Sequence, residues 1–359
     1  MTDPRNRASA TQRHLLVRSM PSILKQVWLR YAAMLLALVG IGLSMGVPFA
    51  SGIHAVFAGL RELPLHVFFI LAASAALSAA AKAGKLQLLQ TALGLRLHFM
   101  RTLAFTLVTD CAFLVSPLGA AGYGVNVALL KRAGASWATA ATVVGADQAL
   151  DLLFFAVAIP VGLLLGLDPL RKVFPEISAA IVIGNLLAAA LAVCTLWIVR
   201  RRLASMLDTL SRHIPWLNTR QARWSRFRQN MSSQWTMLVT VGGRQCVTLL
   251  LLATLQWLLR YGALWFCMLE LGHRLPLGFV LAVQAIVLHI ALWTGVPAGG
   301  GSGDLALTVI FAPWISSVTM AMALVLWRFA TLYCPLVLGA IGSAVLAGGR
   351  IKSRMQLPE

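Results

Sequence analysis

Ser116-Pro117-Leu118-Gly119-Ala120-Ala121-Gly122-Tyr123-Gly124 and Val296-Pro297-Ala298-Gly299-Gly300-Gly301-Ser302-Gly303-Asp304 each split an apolar stretch, near 102–130 and 276–313, with a proline followed by glycines. Backbone of this composition does not stay helical, because proline removes an amide donor and glycine costs about 1 kcal/mol per residue against alanine in a helix. Unpaired amides are not tolerated against lipid, so such a segment at membrane depth must line a cavity or pack on protein. Each stretch therefore reads as a re-entrant hairpin.

The rest of the chain supplies the membrane. Of 359 residues, 59% are apolar and 11% charged, with a mean hydropathy of +0.81, against about 25% charged in an ordinary soluble domain. This excludes a soluble enzyme. The net charge of +19 comes from 30 Lys+Arg against 11 Asp+Glu. The cations lie in blocks between long apolar runs, which is a topology signal and not a nucleic-acid surface. Runs suited to crossing the bilayer are about 28–47, 63–81, 136–167, 177–199, 235–259 and 314–349. The expected fold is an all-α polytopic bundle of six crossings plus two hairpins. Eight crossings is the other count, because 235–274 is interrupted by Arg260, Tyr261 and Gly262. The organisation expected is a basic N-terminal segment 1–26, one membrane domain 27–349 and a tail 350–359.

Basic residues orient the bundle: six in 1–30, four in 82–101 (Lys82, Lys85, Arg96, Arg101), Lys131-Arg132, eight in 200–228 and three in 350–354. By the positive-inside rule these segments and both termini are cytoplasmic. No small-residue cleavage site follows the first apolar run, so the first helix is expected to be retained. The five cysteines lie singly in apolar segments without C-x-x-C, so neither a disulfide framework nor a metal site is expected. The segment 200–234, rich in Arg and Trp, reads either as an interfacial amphipathic helix or as a solvated basic loop.

Pro117 and Pro297 are 180 residues apart, and at that offset Gly119 falls on Gly299, Ser136 on Ser316 and run 63–81 inside run 235–259. Two crossings separate the copies, so repeat halves of about 63–160 and 243–340 would be inverted. Inverted repeats with broken helices at corresponding places point to a transport site near the bilayer midplane.

Charges inside apolar segments are expensive, roughly 2.5–3.5 kcal/mol at a helix centre, so Asp110, Asp147, Asp151, Glu270 and Asp304, with Arg244 and Arg328, need partners or a purpose. Asp147 and Asp151 share a helical face with Gln148 beside them, and Gln148 matches Arg328 at the repeat offset. A buried cluster of Asp147, Asp151 and Arg328 is expected. It reads equally as an internal ion pair or as a headgroup site in which Arg328 meets phosphate. Gly119, Gly122, Gly124, Gly299, Gly300, Gly301 and Gly303 would present free amides at half-helix starts. Asp304 and Asn126 read as helix caps or as members of the site. His289 reads as a packed or helix-bonding residue. No metal, cofactor or catalytic spacing is assembled, and no enzyme is expected.

Pro117 to Gly124, the following Ala128 to Ser136 and Val143 to Leu153, and later Pro297 to Asp304 and Leu326 to Leu338, resemble the membrane domain of lysylphosphatidylglycerol synthases (multiple peptide resistance factor). The resemblance covers nearly the whole chain in layout, with its specific motifs in the two hairpins and their following helices. It implies a flippase-like bundle with two re-entrant hairpins, in a family associated with aminoacylated phosphatidylglycerol and with relatives near hopanoid and other envelope-lipid genes. Asp304 stands where the family usually carries Glu, and the aminoacyl-transferase part is not expected in this chain. The leading expectation is thus an inner-membrane protein that translocates a lipid with a polar or phosphate headgroup, such as a phosphatidylglycerol derivative, a hopanoid or a similar envelope lipid, between leaflets. An ion-coupled small-solute transporter and a scaffold for envelope-lipid biosynthesis enzymes are the alternatives. Membrane phospholipids, those enzymes and a second copy of the chain are the partners considered, and nucleic acid is not one.

Overall fold

A computed structural model describes residues 52–173 and 242–355 continuously, with scattered positions between 35 and 46, 175 and 195, and 229 and 237. Every described element is helical: α1 (Ile53–Glu62), α2 (Leu65–Ala92), α3 (Phe99–Leu114), a tight turn at Pro117–Gly119, α4 (Ala120–Arg132), α5 (Trp137–Leu165) and α6 (Leu167–Val173). Then follow α7 (Gly243–Glu270), α8 (Leu277–Leu292), a second tight turn at Pro297–Gly299, α9 (Ser302–Phe311), α10 (Ser317–Arg328), a π-helical turn at Phe329–Tyr333 and α11 (Cys334–Met355). Among the described residues α2, α5, α7 and the continuous rod of α10 and α11 are long and apolar enough to cross a membrane. At 28 residues, α2 extends about 42 Å against a hydrocarbon core of about 30 Å.

The elements of 65–165 recur in 243–348. Helices α2 and α7 each have 28 residues, α3 and α8 each have 16, and the offset is 178 before the tight turns and 180 at the turns and at α5 and α10. Leu118 and Ala298 both take φ 55, an uncommon value for a residue with a side chain, and the glycine after each, Gly119 and Gly299, is also left-handed. Ser136 caps α5 by accepting the Thr139 amide, and Ser316 caps α10 by accepting that of Thr319. The copies differ at the π turn, where Pro335 has no amide to offer the Thr331 carbonyl four residues back.

Helices α2 and α7 pack against each other and run antiparallel: Ser74 Oγ donates to the Leu259 carbonyl at 2.7 Å, and Ser78 Oγ to that of Gln256 at 2.9 Å. Around this pair the packing is reciprocal, with α5 against α8 and α11 against α3, and the two tight turns touch each other. Close approach is set by small residues: a Cβ at Gly162 would strike the Gly278 backbone carbonyl, and one at Gly339 would strike Cys111. Outward positions are apolar, as at Leu152, Val157, Leu251, Val337 and Ile341, so charge is found inside and hydrocarbon outside. That inversion of the soluble pattern suits a lipid solvent.

Three sequence expectations change. The helix expected at 63–81 continues to Ala92, carrying Lys82 and Lys85 into the bundle and out of the loop to which they were assigned. The interruption at Arg260, Tyr261 and Gly262 does not occur, since α7 passes through all three. Its leucine- and alanine-rich flanks provide helix propensity on both sides of the single glycine. Arg244 is exposed in the first turn of α7 and is not deep. Runs 28–47 and 177–199 and the segments 1–30 and 200–228 lie largely or wholly outside the described residues. Within the expected tail, residues 350–355 continue α11 as helix.

Candidate functional site

Two buried polar groups lie within the bundle. The first is built where α2, α3, α5 and α7 meet. Lys82 and Lys85, one turn apart, share a face of α2, and Asp147 and Asp151, four residues apart, share a face of α5, so two like-charged ladders oppose each other. Lys85, with no exposed surface, lies 2.8 Å from Asp147 Oδ1 and donates to Asp151 Oδ1. Lys82 donates to Asp110 Oδ1. Trp257 of α7 completes the shell, its indole N–H donating to Asp151 Oδ1 at 2.9 Å. Next to them the Tyr123 hydroxyl donates to Gln148 Oε1 at 3.1 Å.

The arrangement is incompletely balanced. Two lysines face three carboxylates, leaving one formal negative charge, and Asp147 Oδ1 accepts no hydrogen bond although Lys85 is near it. A buried charge must be paired or pay several kcal/mol of lost hydration, so the lysines are what allow three carboxylates to stay inside.

The second group ties the Pro297–Gly299 turn to α10. Arg328 Nε donates to Asp304 Oδ1 at 2.8 Å and Nη2 to Asp304 Oδ2 at 2.9 Å, a two-point grip on a carboxylate with no exposed surface. Nη1 donates to the Ala298 carbonyl at 3.2 Å, and the guanidinium carbon lies 4.4 Å from the Trp327 ring centre. Asp304 Oδ2 also accepts the Gly301 amide at 3.0 Å. Asp304 therefore does cap α9, from its third residue and not from the N-cap position, while neutralising Arg328.

The expected cluster of Asp147, Asp151 and Arg328 is not formed. The carboxylates take Lys85, and Arg328 takes Asp304. The repeat offset placed Gln148 and Arg328 at equivalent positions, but equivalence across an internal repeat does not make two positions neighbours. Asn126 is buried within α4, as its seventh residue, so it is not a cap. Gly119, Gly299 and Gly301 have left-handed backbones that require glycine's freedom. Gly122, Gly124 and Gly303 are helical, and Gly300 has φ −59 as the residue closing the second turn. His289 Nδ1–H donates to the Ala285 carbonyl of its own helix at 2.6 Å, and its ring packs on Phe155. Glu270 ends α7 at 3.8 Å from His66.

Lys82, Lys85, Trp257 and Arg260 were missed as site residues. The signal was a shortage: five intramembrane carboxylates against two assigned cations needed more lysines, and the alanine-rich helix pattern runs on past residue 81 through Lys82 and Lys85. Arg260 lines a narrow cleft with Ser74, Ser78, Asp110, Ala263 and Thr331.

Residues 34–339 match the family described as the lysylphosphatidylglycerol synthase TM region. A UPF0104 membrane protein of Archaeoglobus fulgidus is 22% identical over 262 residues, covering 72% of this chain and 79% of that protein. With the matched region spanning both polar groups and both Pro-Gly turns, the chain is a multi-pass membrane protein belonging to the lysylphosphatidylglycerol synthase TM region family.

Proposed function

We propose that the protein moves a lipid with a phosphate-containing headgroup between the leaflets of a cell's inner membrane, with no covalent chemistry of its own. The observation that carries this reading is the meeting of the two Pro-Gly turns inside a bundle that also buries the charged side chains Lys85, Asp147, Asp151, Asp304 and Arg328. At 16 residues each, α3 and α8 extend about 24 Å, short of a hydrocarbon core of about 30 Å. Each is followed by a turn and a short returning helix, as re-entrant hairpins require. With α2 and α7 antiparallel, the two halves are read as an inverted repeat about an axis near Ser78 and Gln256, one hairpin entering from each face. Arg328, whose donors are taken by Asp304 and Ala298, holds the second turn closed, and Asp147 with Asp151 sets the charge of the route. Both termini are placed in the cytoplasm. The sequence holds no G-K-[ST] phosphate loop, so movement is downhill or ion-coupled. Purified protein in vesicles bearing fluorescent phosphatidylglycerol is expected to expose inner-leaflet lipid to an external quencher. Absence of exchange across several headgroups refutes the reading.

One observation favours a second reading, an ion-coupled transporter of small solutes. Three carboxylates against two lysines leave room for a proton or cation to be taken up at Asp147. Proton-dependent solute uptake in the same vesicles, without lipid exchange, is its signature.

A further inference from the structure

The two copies of the repeat carry opposite decorations. At the helix offset of 178, Lys82 corresponds to Arg260, Lys85 to Ala263 and Asp110 to Leu288; at the later offset of 180, Asp147 corresponds to Trp327 and Asp151 to Thr331. The second copy thus keeps one cation and lacks all three carboxylates. Arg260, Ala263 and Thr331, the counterparts of Lys82, Lys85 and Asp151, all line the cleft. Where the first copy has Lys85, Asp147 and Asp151, the second has Ala263, Trp327 and Thr331; Trp327 is buried, and the cleft opens beside the smaller Ala263 and Thr331.

Arg260 is half-buried, eighteenth of the 28 residues of α7. It lies over the Trp257 ring, 6.0 Å from its centre, and among the described residues it has no carboxylate partner. The hydroxyls of Ser74, Ser78 and Thr331 are spent on backbone carbonyls, so the guanidinium is the free donor set of the cleft. A guanidinium at this depth calls for an anion, and its planar fork matches two oxygens of a phosphate. We propose that Arg260 and the cleft beside it form the phosphate site of this protein, taking a singly charged phosphodiester whose negative charge replaces the carboxylates missing from the second copy. Lys82 and Arg260 each stand four residues from the Ser78 and Gln256 level, about 6 Å along antiparallel helices, on opposite sides of it. Asp110 also lines the cleft, but its carboxylate is held by Lys82, whereas Arg260 has no carboxylate partner among the described residues, so the headgroup is taken up at Arg260.

The assignment deepens the lipid-transport reading and rests on it for the source of the phosphate. Full-length protein in a phosphate-free maltoside detergent is titrated with phosphatidylglycerol, with diacylglycerol, which lacks phosphate, and with inorganic phosphate, and bound species are counted by native mass spectrometry. Phosphatidylglycerol retention is expected to fall at least tenfold in R260Q and less in R260K, with diacylglycerol binding unchanged in both. Thr331→Asp, which restores the carboxylate found at Asp151, is expected to abolish retention while Arg260 remains, and serves if R260Q does not fold. Displacement by millimolar inorganic phosphate supports the site with a soluble ligand as its source. R260Q or T331D retaining phosphatidylglycerol as the native protein does, or losing diacylglycerol equally, overturns the proposal. Arg260-dependent binding in a protein that exchanges no lipid in vesicles refutes the transport reading alone and leaves the site standing.

Discussion

Replacing Lys85 with methionine isolates what the buried lysine contributes. The side chain has no exposed surface and its ammonium is shared between Asp147 and Asp151. Methionine fills most of the same volume, so the change removes charge with little cavity. It leaves two carboxylates four residues apart on one face of α5, with the Trp257 indole still bonded to one of them. Breaking a buried pair by removing one partner costs roughly 3–5 kcal/mol, whereas replacing the whole group by neutral residues is often close to neutral. K85M is therefore expected to lose about 3–5 kcal/mol, and the triple variant K85M/D147N/D151N to recover most of that loss. Unfolding in mixed micelles at increasing dodecyl sulfate, followed by tryptophan fluorescence, measures both. D147N and D151N alone complete the cycle and report the coupling of each carboxylate to the lysine. K85M within about 0.5 kcal/mol of the native protein, the usual range for surface changes, or a triple variant no better than K85M, refutes the assignment of Lys85 as the counter-ion.

Other perturbations test the remaining contacts. R328M leaves Asp304 buried and unpaired and is expected to cost about 3–5 kcal/mol. R328K keeps the charge but not the two-point grip and should fall between R328M and the native protein in the same unfolding assay. Trp257→Phe removes one hydrogen bond to a carboxylate while keeping the ring against Phe155, an expected loss of about 1.5–3 kcal/mol. Gly162→Ala drives a methyl into the Gly278 carbonyl, whereas Gly342→Ala approaches the Ala104 carbonyl only to 3.2 Å. G162A is therefore expected to lower the thermal midpoint more than G342A, and equal shifts would show that α5 and α8 can move apart freely.

The asymmetry between the copies bears on mechanism. Both hairpins have the same turn geometry, down to a left-handed Leu118 and Ala298, but the first is tied to the next long helix by a neutral hydrogen bond, Tyr123 to Gln148, and the second by a buried ion pair, Arg328 to Asp304. Under the proposed transport function, opening one side at a time needs unequal sides in any single state. Here the inequality resides in side chains on a nearly repeated backbone.

Much of this protein was legible in its amino-acid order. Hydropathy alone specified an all-helical membrane protein, because a bilayer admits few backbone arrangements and twenty apolar residues in a row signal one of them. Proline and glycine marked both tight turns to the residue, since their effect on the backbone is local. The 180-residue offset, the serine caps and the need to neutralise Asp147, Asp151 and Asp304 were also local facts. The partners were decided only by tertiary packing. Lys85 reaches α5 and Asp304 reaches Arg328 across gaps of 62 to 66 and 24 residues, and the cleft at Arg260 exists because alanine and threonine meet there from separate helices. Charge in sequence states that a counter-charge is required, but Coulomb attraction acts through space, and only the crossing of helices determines which lysine or arginine comes within reach.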